Sequence, residues 1–322
     1  MRVRTAIVCL LAGCLQASAR AQAPLPMASP RQIAIDQPAL LADLRALSAD
    51  DMQGRKMGTP GGEKARAYLA TRFKDAGLST VGNNRTFVFP FTTPAGASGA
   101  NVVGLVRGTR QPTTFIVVSA HYDHVGVTNG QVFNGADDNA SGAAALVAIA
   151  EYFREHRPTH SLIIAAFDGE EAGLLGSKAF VRAPPVYPES LAINLNLDMI
   201  GREDRNRLFV AGTRQQPFLA PIIARVAARA PVALLPGHDD SGVRNVEDWT
   251  KDSDHYAFLS AGIPALYFGV EDEAQHHRPT DDFETITYPF YAAAVRTIID
   301  VIREFDAHVD EFAGRRLPLP SR

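Results

Sequence analysis

The sequence predicts an α/β fold: a three-layer sandwich with a mostly parallel central sheet flanked by helices. Three observations predict it. Short apolar runs alternate with helix-spaced segments from residue 115 to residue 305. Several of these runs are apolar at nearly every position, as strands covered on both faces are. Polar residues cluster just past the ends of three runs, where open α/β sheets bind their ligands.

The elements follow in order. Residues 22–38 are rich in Pro, Ala and Gln and read as a loose leader. A helix is predicted over Ala39–Leu47, then a Gly- and Pro-punctuated loop over Gly54–Gly62. Ala67, Leu69, Ala70 and Phe73 have helical spacing within Glu63–Ala76, and Gly77 suits the C-cap. Strands are expected over 85–91 and 101–106. Phe115–Ala120 is a buried strand, Ser141–Phe153 a helix, Leu162–Phe167 a strand and Leu174–Val181 a helix. Leu191–Leu197 and Arg207–Ala211 read as strands, Pro217–Arg229 as a helix and Ile263–Phe268 as a strand. Tyr288–Phe305 forms a long final helix. No internal repeat or linker interrupts the pattern, so one domain is expected over 39–310, with a flexible tail over 311–322.

Bulk composition excludes several classes. The chain has 322 residues, 46% hydrophobic and 21% charged, with a formal net charge of −3. Its Lys and Arg are dispersed, which gives no basic surface for nucleic acid or anionic membrane. Arg2 and Arg4 precede an apolar run over Ala6–Leu15 and small residues at Ala17, Ser18, Ala19 and Ala21. That is the pattern of an export signal over 1–21 and of a periplasmic or extracellular protein. Leu11-Ala12-Gly13-Cys14 also offers a second export reading, as a lipoprotein anchored through Cys14. The apolar run is too short to span a bilayer and no later run approaches about twenty apolar residues, so no transmembrane helix is expected. Both cysteines, Cys9 and Cys14, lie in the signal. The mature chain thus has no disulfide, catalytic thiol or thiolate ligand. Any metal must sit on His, Asp and Glu.

Such residues occur at the strand ends. His121-Tyr122-Asp123 follows one strand, Asp168-Gly169-Glu170-Glu171 the next, and Asp198 closes a third. Carboxylates there face desolvation unless they are paired or metal-bound. Gly135-Ala136-Asp137-Asp138-Asn139 precedes a helix. Asp137 alone has a capping reading, but two adjacent acids and an Asn exceed what a cap needs. His276 and His277 sit in a loop ahead of Asp281 and Asp282, and a neutral imidazole is a good zinc ligand. Ser253-Asp254-His255 resembles a serine triad in composition only. Consecutive residues cannot adopt that geometry, and no nucleophile elbow is present.

The ordered set resembles the di-zinc aminopeptidase family, which also holds glutamate carboxypeptidases, glutaminyl cyclases and the transferrin receptor ectodomain. The matching segments are SAHYDHVG at 119–126, NGADDNASG at 134–142, FDGEEAGLLGS at 167–177 and NLDMIG at 196–201. SDHYAFLSAGIPAL at 253–266, HHRPTDD at 276–282 and the approach segment at 54–78 complete it. The resemblance implies a zinc exopeptidase fold and two zinc ions. His121 and Asp198 would bind one ion, Glu171 and His277 the other, and Asp138 would bridge them. Glu170 would be the general base, and Asp123 would orient His121. The family often has an aromatic residue before its last ligand histidine; here His276 holds that position and would face the oxyanion. Asp254 and His255 are expected near the substrate. The implied activity is hydrolysis of the N-terminal peptide bond of a peptide. No dimerisation segment stands out after Phe305, so a monomer is expected. Rival readings are a single-zinc glutaminyl cyclase, a carboxypeptidase or dipeptidase with Arg202, Arg205 or Arg244 as carboxylate clamp, and a non-catalytic binding domain.

Overall fold

Successive residues of a strand face opposite sides of its sheet, and here both sides are apolar. In the strand Gln111–His121 (β3), Ile116, Val118 and Ala120 enter one core, while Val117 enters a second core behind the sheet. The strand His160–Phe167 (β6) divides the same way, with Leu162, Ile164 and Ala166 against Ile163, Ala165 and Phe167. This two-sided burial is why these runs lack polar alternation. The computed structural model describes residues 33–319 except 241, 243–245 and 273. The expected signal over 1–21 lies outside these residues.

Eight strands form one sheet. They include Val88–Thr92 (β1), Ser98–Val106 (β2), Leu191–Leu197 (β7), Arg207–Ala211 (β8), Ala233–Pro236 (β9) and Ala265–Gly269 (β10), in the order β1-β2-β6-β3-β7-β10-β8-β9. The central four, β6-β3-β7-β10, are parallel. Antiparallel pairing of β2 on β6, β1 on β2 and β8 on β10 makes the whole sheet mixed. The short link between β1 and β2 accounts for one of these pairs, since only antiparallel neighbours can be joined so briefly. A separate hairpin pairs Gly126–Thr128 (β4) with Gln131–Phe133 (β5).

Helices cover both faces. On one lie Gln37–Leu47 (α1), Pro60–Asp75 (α2), Gly142–Glu155 (α3), Ala220–Ala227 (α5) and Tyr288–His308 (α7); Leu175–Arg182 (α4) and His255–Ser260 (α6) bring Phe180 and Phe258 to the other. The predicted helix starts at 39 and 63 fall two or three residues late. Asp36 caps α1 by accepting from the Ala39 amide, and Thr59 caps α2 ahead of Pro60.

Two expectations about the ends are corrected. Ile33, placed in the loose leader, is buried in the larger core, and α1 begins at Gln37. Beyond residue 310, Phe312 is buried against Phe218 and Phe305, and the Leu317 amide bonds to the Gly262 carbonyl at 2.8 Å. Apolar burial thus holds Ile33 and Phe312 to the domain. No helix of the described residues is long and apolar enough to cross a membrane.

Candidate metal centre

Strand register brings the polar residues together. Ser119 pairs with Asn196, so His121 and Asp198 end neighbouring strands at the same edge. His121 is also level with Phe167, after which the chain turns through Asp168-Gly169-Glu170-Glu171. The Gly135–Ser141 turn and the loop before Asp281 close over this edge.

Two groups of donors meet there. In the first, His121 Nε2 lies 3.2 Å from Asp198 Oδ1 and 3.4 Å from Asp138 Oδ1. In the second, His277 Nε2 lies 3.2 Å from Asp138 Oδ2 and 2.9 Å from Glu171 Oε2. His124 joins the second group, its Nδ1 2.7 Å from Glu171 Oε1 and 3.5 Å from Asp138 Oδ2. Asp138 thus turns one carboxylate oxygen to each group, which is the arrangement of a bridging ligand.

The donor set suits zinc. Zinc ligands about 2.0–2.1 Å from a tetrahedral ion stand about 3.3 Å from one another, close to most of the spacings above. Asp138 Oδ2 is buried and accepts no hydrogen bond, although two imidazoles lie within 3.5 Å of it. The carboxylates also draw positive charge. Asp138 and Glu171 push the His277 imidazole up to about 10 against the effect of burial. Burial and Asp138 push Glu171 up, yet His124 and His277 outweigh them and hold it at about 2. A cation between these groups satisfies charges that are otherwise costly to bury.

Glu170 belongs to neither group but lines the same cleft. Burial raises it well above the usual carboxylate range, opposed by His121 and reinforced by Asp198, Asp254 and Asp123. Asp123 holds it in place: its Oδ1 accepts from the Glu170 amide at 3.0 Å. The nearer acceptor for His121 Nδ1 is the Asp123 carbonyl, at 3.1 Å, with the carboxylate at 3.8 Å. Asp123 therefore meets the imidazole mainly through its backbone and spends its side chain on the neighbouring acid's loop. Asp168 turns away, accepting from the Ala100 amide at 2.9 Å.

The ligand loop is fastened from below. The Asp281 carboxylate accepts from the Asp137 and Asp138 amides, and Arg202 ties Asp281 to Asp272. Asp137 binds the Gly201 and Arg202 amides, joining this loop to the one after Asp198. Arg55 is fully buried and donates to the carbonyls of Leu47, Tyr122, Asn134 and Gly135 at 2.5–2.9 Å. Burial lowers its pKa to about 10, so it is a cation at neutral pH beneath an acidic cluster. Each buried acceptor left unpaired costs about 1–3 kcal/mol. Arg55→Met is accordingly expected to lower unfolding free energy by about 3–5 kcal/mol, read from urea midpoints at unchanged m.

The residues expected near the substrate separate. His276 lines the cleft half-exposed, its Nε2 3.6 Å from Asp138 Oδ2. Asp254 and His255 are buried and are not among the residues that line it. Burial pushes Asp254 up to about 6 against the pull of His121, and lowers His255 to about 4, leaving a neutral ring edge-on to Tyr267. The cleft, about 230 Å³, continues from the donors to Trp249, Glu247, Asp252, Tyr267 and Glu271; Lys and Arg are absent from its lining among the described residues. Arg202 is bound to Asp272 and Asp281, Arg205 is exposed beside Asp204, and Arg244 lies outside the described residues.

Sequence reasoning missed His124, although a second imidazole three residues after His121 was a usable signal. It also missed Arg55, whose partners are backbone carbonyls that no motif displays.

Comparison with known proteins accords with this geometry. The profile of peptidase family M28 matches residues 101–302. A probable zinc metalloprotease of Pyrenophora tritici-repentis is 26% identical over 268 residues, covering 66% of this chain and 58% of its own length. The chain spans about half the length of such curated relatives. Among solved structures, the zinc aminopeptidase BSAP of Bacillus subtilis superposes with a TM-score of 0.67 at 16% identity, over 86% of this chain and 96% of that one. The glutaminyl cyclase of Porphyromonas gingivalis reaches 0.66 at 19% identity, over 84% and 98%. These structural likenesses bear on the fold, and the profile match over most of the chain on ancestry: this chain belongs to peptidase family M28.

Proposed function

We propose that the chain is a two-zinc aminopeptidase. His121, Asp138 and Asp198 would hold one ion, and Asp138, Glu171 and His277 the other. When bound, such a pair polarises the scissile carbonyl and lowers the pKa of the attacking water. Glu170 takes the proton from that water and delivers it to the departing amine nitrogen. The Asp123 carboxylate keeps the Glu170 backbone in place for both transfers.

The acidic cleft carries the choice of aminopeptidase. Glu247, Asp252 and Glu271 line it, and their negative charge favours an ammonium terminus over a carboxylate. Two donor groups sharing Asp138 support a two-metal hydrolase over a single-zinc cyclase. Arg2, Arg4 and the apolar run after them support export to the periplasm or medium.

The test is a panel of aminoacyl chromogenic amides with free and acetylated amino groups. Acetylation is expected to lower kcat/KM at least about 100-fold, because it removes the ammonium that faces the acidic cleft and adds bulk at the chain end. Equal cleavage of both forms, or preference for peptides with a free carboxylate, would sink the aminopeptidase reading.

A further inference from the structure

The second donor group contains an imidazole that the proposed five-ligand set leaves unused. His124 is fully buried and faces the same two carboxylates that His277 faces. The two histidines take different oxygens of Glu171, at 2.7 Å from His124 Nδ1 and 2.9 Å from His277 Nε2. Their rings lie 5.6 Å apart and tilted by 58°, so they approach from separate directions and do not stack. Donor atoms of His124, Asp138, Glu171 and His277 all lie within 4.8 Å of one another. The backbone leaves room for this ring. Gly135 has φ +54°, and a Cβ there would stand 2.5 Å from His124 Cδ2.

We propose that His124 is a fourth protein ligand of the second metal position, giving it two imidazoles and two carboxylates. The inference rests on the two-zinc reading above. It divides the labour of the pair. The first position has three protein ligands, His121, Asp138 and Asp198, and lies beside Glu170 on the cleft. The second has four. Zinc sites closed by four protein ligands are of the structural kind, whereas three-ligand sites keep a position for water or substrate. The second position would therefore retain its ion when the first is stripped, and the open position beside Glu170, where a water could give up its proton, would be at the first.

A bland role competes with this one: His124 Nδ1–H donating to Glu171 as an outer-shell partner. The His124 Nε2 atom has no hydrogen-bond partner in either case. X-ray absorption of the zinc-loaded wild type separates the two. Ligation gives three imidazoles over two ions, and donation gives two over two. Graded chelation of wild type, His124→Ser and His124→Gln, read as metal per chain, supplies a second readout. Wild type is expected to lose its ions in two resolved steps. Outer-shell changes already cost about 10–100-fold in affinity, so both variants are expected to lose the tighter step by at least that. Gln can still donate to Glu171, so wild-type affinity in His124→Gln, or two imidazoles over two ions, overturns the inference. A wild type that binds fewer than two ions refutes the two-zinc reading instead.

Discussion

Glu170→Gln is expected to keep both metal ions and lower kcat by about 10²–10⁴-fold, the usual worth of a positioned acid–base group. The substitution preserves shape and removes only the ability to accept and return a proton. Glu170 stands outside both donor groups, so metal content should not change. Its amide stays bound to Asp123, so the loop should not move. The check is parallel metal analysis and steady-state kinetics on one preparation. A fall in kcat with intact metal assigns the proton transfers to Glu170. Near-normal turnover removes Glu170 from the mechanism, and a loss of metal makes it a ligand.

Asp138→Asn should act differently. Its two oxygens face separate groups, so one substitution weakens both positions. Metal content after dialysis should fall from two ions toward none, and hydrolysis should fall with it. Each position is expected to lose at least about 10-fold in affinity, since even outer-shell changes cost that much. The chain should stay folded, because Asp281 and Arg55 hold the loop through its backbone, not through the Asp138 side chain. Loss of a single ion with the other unchanged would mean that Asp138 does not bridge. Arg55→Met supplies the converse case, with stability lost first and the ligands chemically intact.

The fold was legible where burial is two-sided. β3 and β6 bury apolar side chains on both faces, and a run of this kind between turn signals has few other readings. Short elements were harder. β4 and β5 have three residues each, too few for periodicity, although Asn129-Gly130 between them is a hairpin signal. Helix α6 has six residues, and β9 ends in Pro236. The mixed edges of the sheet depend on which strands become neighbours, and that is set by packing outside the run itself.

The site was legible through its acids and imidazoles. The residues at strand ends and in the two loops lie together in the folded chain, but their supports do not announce themselves. Arg55 binds carbonyls drawn from residues 47 to 135, a set that exists only once the chain is folded. Asp123 sits where an orienting carboxylate was expected, and the three-dimensional turn gives its side chain to Glu170 instead. Asp254 and His255 stand within the matching segment but pack behind the cleft, because α6 begins there and buries its first turn against Tyr267. Sequence order shows which residue types recur together. It does not show which of them reach the surface of a cleft.

The most direct test of the two-metal account is anomalous diffraction at the zinc edge from crystals of the purified chain. The expected result is two peaks beside Asp138, one bordered by His121 and Asp198 and the other by Glu171 and His277. A single peak, or peaks that leave Asp138 outside, would contradict the account.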